Sequence, residues 1–186
     1  MRVRVLLLAA LGISGALGVS AVPAFTATPS DTGSVVGTVT ALGGGACLQL
    51  TNTAVSFGTL PFSTRTQASS GQGNPTPTFQ NCGNLNESIS ISGTDASGLN
   101  TTWNLTNKVG NPCFDAAGAQ QVNVYALAFD APPVGLVRIS KTPTPIATYG
   151  AGVTTPLALR LDMPCVGSSG DGQTVSFSVN LTAAIA

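Results

Sequence analysis

Cys47, Cys82, Cys113 and Cys165 carry the most reactive side chains in this sequence, and their even number points to two disulfides. Residues 1–24 read as an export signal, and thiols that leave the reducing cytosol pair stably. The sequential pairing Cys47–Cys82 and Cys113–Cys165, closing intervals of 35 and 52 residues, is the one expected here. Four cysteines allow three connectivities, and the sequence leaves them open. Loops of this size are stabilised by about 4 kcal/mol each at most in the chain-entropy model. Zinc fits poorly, because no CxxC spacing exists and the chain holds no histidine. No metal and no cofactor is expected.

The missing imidazole also removes Ser-His-Asp and Cys-His catalysis, which need one to take the nucleophile's proton near neutral pH. A Ser-Lys pair would need Lys108 or Lys141. Ser140 and Lys141 are neighbours, so on a strand they point to opposite faces. Glycoside hydrolysis would need two of Glu87, Asp95, Asp115, Asp130, Asp162 and Asp171 to converge in a cleft, whereas each reads as a solvated turn or surface carboxylate. Asp95-Ala96-Ser97-Gly98 and Ser169-Gly170-Asp171-Gly172 place oxygen ligands on loops where calcium is conceivable. Asx-turns account for both equally well, and neither has the dense acidic pattern of an EF-hand. No catalytic residue is expected, and the protein reads as a non-enzyme.

Trp103, the sole tryptophan, has two readings. Exposed, it would stack on a sugar ring, with Tyr125 or Tyr149 extending a carbohydrate-binding face. Buried, it would fill the core beside Leu105, two residues along on the same strand face. The core reading is the expected one. Asn86, Asn100, Asn104 and Asn180 each open a glycosylation sequon, although chance matches are frequent in a chain so rich in Asn and Thr.

The elements that must position these residues begin with the leader. Arg2 and Arg4 precede the apolar run 5–11, and small residues make cleavage expected after Ala24, with Ala21 and Ala27 as alternatives. Removing 1–24 leaves five basic against seven acidic residues, a balance that gives no basic patch for nucleic acid. Only 8% of residues are charged, so hydroxyls and amides must cover the surface. Residues 25–34 form a Thr/Pro/Ser-rich flexible lead, and 35–186 a single domain.

Within that domain the dominant period is two, with no helical stripe. Strands are expected at 35–39, 47–50, 55–57, 88–92, 102–105, 122–129, 136–139, 157–163 and 174–182. The clearest is 174–182, where Val175, Phe177, Val179 and Leu181 share one face. The segment 157–163 repeats the alternation with Arg160 and Asp162 on the wet face, and a hairpin across 164–172 would pair the two. Short strands, Gly/Pro/Asn turns and no helices indicate an all-β fold: an antiparallel Greek-key, Ig-like β-sandwich, disulfide-stabilised. No second apolar span follows the leader, so no transmembrane segment is expected.

Thr53-Ala54-Val55-Ser56-Phe57-Gly58-Thr59-Leu60-Pro61, Gly93-Thr94-Asp95 and Trp103-Asn104-Leu105-Thr106 resemble the motif series of WxL-type bacterial surface domains, with Trp103 and Leu105 as the WxL-like motif. Cys47, then Phe57-Gly58-Thr59-Leu60, closed by Asn81-Cys82, is similar to the opening of spore-coat-U and pilin-like sandwich subunits. Both resemblances imply an exported structural or adhesive β-sandwich, secreted or retained at the cell surface, with cell-wall polymer or other surface proteins as partners. A carbohydrate-binding module, or a subunit of a strand-complemented surface filament, is the alternative.

Overall fold

The computed structural model describes residues 32–42, 46–67, 76–108, 112–114, 118–131 and 135–186, with only the backbone described for 32–42, 66–67 and 131. The segments expected to be a leader (1–24) and, for the most part, a flexible lead (25–34) lie outside these residues. Fourteen strands and no helix occur among the described residues: β1 (Thr32–Leu42), β2 (Leu48–Thr51), β3 (Ala54–Pro61), β4 (Arg65–Gln67), β5 (Thr78–Asn81), β6 (Glu87–Gly93), β7 (Ala96–Ser97), β8 (Thr102–Thr106), β9 (Val124–Ala131), β10 (Gly135–Ile139), β11 (Thr144–Tyr149), β12 (Thr154–Pro156), β13 (Ala158–Asp162) and β14 (Thr174–Ile185).

One layer runs β3-β1-β14-β6-β11. The other runs β9-β13-β4, with β8 and β10 lying end to end along the free side of β9. The two-residue β7 pairs with both β14 and β8, joining the layers at a corner. A small third sheet has the order β12-β5-β2. The result is an all-β, sandwich-like fold.

Alternation explains why these segments are strands and why they stack. In β14 the odd residues Val175, Phe177, Val179, Leu181 and Ala183 are buried, and Ile89 and Ile91 of β6 lie in register beside Ala183 and Leu181. Tyr125, Leu127 and Phe129 of β9 and Leu159 and Leu161 of β13 form the facing row of the same core. Phe177 reaches both sides, with ring centroids 6.1 Å from Phe57 of β3 and 6.2 Å from Tyr125 of β9. Each such side chain contributes about 1.5–3 kcal/mol by burial before the entropy of ordering is subtracted.

Several expectations change. The segments 157–163 and 174–182 do not pair as a hairpin: β13 lies between β9 and β4, while β14 lies between β1 and β6. The 163–173 connection therefore carries the chain from one layer to the other, and the two apolar rows meet across the core instead of side by side. Gly170-Asp171-Gly172 forms a tight turn ahead of β14, with Gln173 N–H bonding Gly170 C=O at 3.0 Å. Gly170 is required there, since its φ is +101° and a Cβ would approach Thr101 to 2.8 Å. Two pairings within the otherwise antiparallel sandwich are parallel, β1 with β14 and β8 with β9.

Strand β9 begins at Val124, not at 122, because Asn123 turns with φ 56°. Strand β1 opens at Thr32, so the last three residues of the 25–34 lead are paired. Strands β11 and β12 were not expected, because Pro145 and Pro156 interrupt their sequences. Both are edge strands, where a proline need not donate to a neighbour. Phe57 of β3 bulges between the partners of Val35 and Val36, and Gly58 takes up the kink at φ 69°.

Candidate functional site

Cys47–Cys82 and Cys113–Cys165 are both bonded, each with Cα atoms 5.0 Å apart. The first closes the open end of the β2–β5 pair, where Leu48 faces Asn81 and Cys82 N–H bonds Cys47 C=O at 2.9 Å. The second anchors the layer-crossing 163–173 connection to the turn at 112–114.

Trp103 has no exposed surface and Leu105 is buried beside it, so the WxL-like pair faces the core. The indole lies edge-on to Phe62, with centroids 5.8 Å apart, and its N–H donates to Ser169 C=O at 2.8 Å. Tyr125 and Tyr149 are buried as well. Burial and the nearby Asp95 charge raise the Tyr125 phenol far above its ordinary range, and its O–H donates to Thr94 C=O at 2.5 Å. The three rings that a sugar-binding face would need are therefore all inside.

The carboxylates are not gathered at one place. Asp95 accepts Leu105 N–H at 2.8 Å and pairs with Lys141 at 2.7 Å. Burial pushes its acid up, but the Lys141 hydrogen bond, the Leu105 N–H and the Lys141 charge together hold it below the usual carboxylate range. Of the oxygen groups considered for calcium, Asp95 pairs with Lys141, and Ser169 Oγ bonds Thr101 and Asn123. Ser140 Oγ donates to Thr142 C=O, so Ser140 and Lys141 point to different partners. Lys108 donates to Phe114 C=O. Asp130 and Asp171 are exposed, and Asp115 lies outside the described residues.

Glu87 and Asp162 depart from the solvated reading. Glu87 is 2% exposed and accepts Cys47 N–H at 2.8 Å, which ties the start of β6 to the first disulfide. Asp162, expected on the wet face, is also 2% exposed. Arg65 Nε donates to it at 2.5 Å and Arg138 Nη1 at 2.8 Å, and Arg160 Nε stands 3.7 Å away. The Asp162 hydrogen bond raises Arg65, whereas burial lowers Arg160, helped by repulsion from Arg65 and Arg138. Sequence reading missed this convergence. The available signal was period two, which sets Arg160 and Asp162 on one face of β13.

A second grouping is made of backbone. Strand β1 runs parallel to β14 over nine register positions, Ser34 with Thr174 through Leu42 with Thr182. On its other side it runs antiparallel to β3 over seven, Thr32 with Pro61 through Thr38 with Ala54. Among the described residues β3 has no other partner strand, so β1 is what joins it to the layer. Withdrawing β1 would open two facing ladders of unpaired N–H and C=O groups above the buried Val55, Phe57, Val175 and Phe177 row. Gly43-Gly44-Gly45 follows β1 directly in the sequence. No protein-family model matches this chain, and no curated protein matches it.

Proposed function

We propose that this chain is an exported, non-catalytic structural β-sandwich that assembles at a cell surface by strand complementation, the 32–42 segment of one copy seating between β3 and β14 of the next. The observation that supports this reading is the position of β1: a strand near the start of the chain sits inside a layer, with a glycine run behind it. A seat with two open ladders and an apolar floor binds an extended segment by main-chain hydrogen bonds, and adjacent side-chain positions set its register. Exchange of an identical element between copies replaces the internal pairing with the same pairing between molecules. Two disulfides fit a protein working outside the reducing cytosol, and no helix among the described residues is long and apolar enough to cross a membrane. A sugar-binding face finds no support in rings that are buried.

Ser34 and Thr174 are register partners, so Ser34→Cys with Thr174→Cys creates a crosslink that reports where β1 sits. Under oxidising conditions and rising protein concentration, non-reducing electrophoresis is expected to give a ladder of covalent oligomers. A crosslinked monomer alone at every concentration would overturn assembly by exchange.

A further inference from the structure

Arg65, Arg138 and Arg160 are the only arginines that follow the leader, and all three converge on Asp162. Register explains how four strands bring them together. Arg138 of β10 and Arg160 of β13 both face Ala128 of β9, one from each side, while Asp162 lies between Ala126 of β9 and Arg65 of β4. The two alanines leave room for long side chains to lie across the sheet. Arg138 and Arg160 use that room, with side chains only 13% and 15% exposed.

The charges do not balance. Three guanidiniums meet one carboxylate, and the next carboxylate on this face, Asp130, is exposed and forms no ion pair with any of them. Three guanidiniums also bring several times more N–H donors than one carboxylate can accept. Arg160 Nε, buried, has no hydrogen-bond partner. Burying cations without a counter-charge is costly, and an arriving anion removes that cost. A cleft of about 180 Å³ opens at the Arg65 side of the cluster, walled by Ser63, Thr64, Arg65, Pro112, Asp162 and Met163, while Arg138 and Arg160 meet Asp162 outside that lining.

We infer that this outer face of β10-β9-β13-β4 is an oxyanion-binding site, holding a phosphate or carboxylate group on the guanidinium N–H donors that Asp162 leaves unused. The planar guanidinium fork matches both groups in bidentate geometry. Asp162 is the positioning residue, drawing three cations to one place. The site lies in the layer opposite the β3-β1-β14 seam, so it stands independently of strand exchange.

Three structured arginines make the test direct. In the exported protein at constant ionic strength, chloride is replaced by inorganic phosphate or by acetate while the arginine Nε–H resonances are followed by NMR. One anion is expected to shift the Arg138 and Arg160 signals saturably, and to raise Tm by about 3–5 °C at ten times its dissociation constant. Phosphate acting alone assigns a phosphate group, and acetate acting alone a carboxylate. A linear polyphosphate that binds more tightly than inorganic phosphate places the group on a polymer, and equal binding assigns a free anion. Arg160→Gln is expected to abolish the response. Should that variant not fold, Arg138→Lys, which keeps the charge and loses the fork, is expected to weaken binding about 10-fold or more. No shift beyond chloride, or unchanged binding in both variants, overturns the site.

Discussion

Trp103 joins three parts of the molecule through one side chain: its ring packs on Phe62, lies 6.4 Å from Tyr125, and its N–H holds Ser169 of the layer-crossing connection. Trp103→Ala should therefore cost about 3–5 kcal/mol, measured by denaturant unfolding, with the lost N–H bond adding to the cavity. The folded protein should show blue-shifted tryptophan emission that added polysaccharide leaves unchanged. Asp95 supplies a pH dependence of known sign. Its acid is held below the unfolded value of about 3.9, so its stabilising contribution is present above about pH 4 and is lost as pH falls through the folded pKa. Thermal melts from pH 6 to 2 should show the gap between wild type and Asp95→Asn closing on acidification, and a constant gap would mean that ionisation of Asp95 contributes nothing. The burial of Trp103 and Leu105 was legible from their two-residue spacing. The burial of Asp162 was not, because alternation assigns a face and says nothing of what neighbouring strands lay over it.

Strand β14 is the element on which the layers depend, since it pairs with β1, β6 and β7 and buries five side chains along one face. Truncation before Thr174 should prevent monomeric folding, read as loss of near-UV circular dichroism and of a cooperative melt. A normal melt would make the strand peripheral. Its apolar row identified it in the sequence, although it runs to Ile185 instead of 182. Its partners were hidden, because period two fixes orientation within a strand and leaves pairing to the connections. The hairpin expected with β13 failed for that reason. The 163–173 connection, anchored by Cys165, spans the layers and turns the two rows toward each other.

At the scale of the whole molecule, the all-β class and the presence of two disulfides were legible, because alternation repeats along the chain and the cysteine count is even, whereas the choice among three connectivities is settled by which strands lie together. The seam and the arginine cluster were not, since each exists only after distant strands are set in register. Non-reducing peptide mapping should recover Cys47–Cys82 and Cys113–Cys165, and removal of either bond should cost about 2–5 kcal/mol in a denaturant titration. The parallel β1–β14 pair also has a mechanical consequence. Residue 32 starts one strand and residue 185 ends the other, so tension pulling these points apart acts along both strand axes and in opposite directions. Hydrogen bonds across the nine register positions are then loaded together, in shear, instead of being peeled one after another. Single-molecule pulling between residues 32 and 185 should give one high force peak, whereas pulling β1 sideways from β14 should open the seam at much lower force. A domain loaded this way is suited to bear tension between these two points without unravelling.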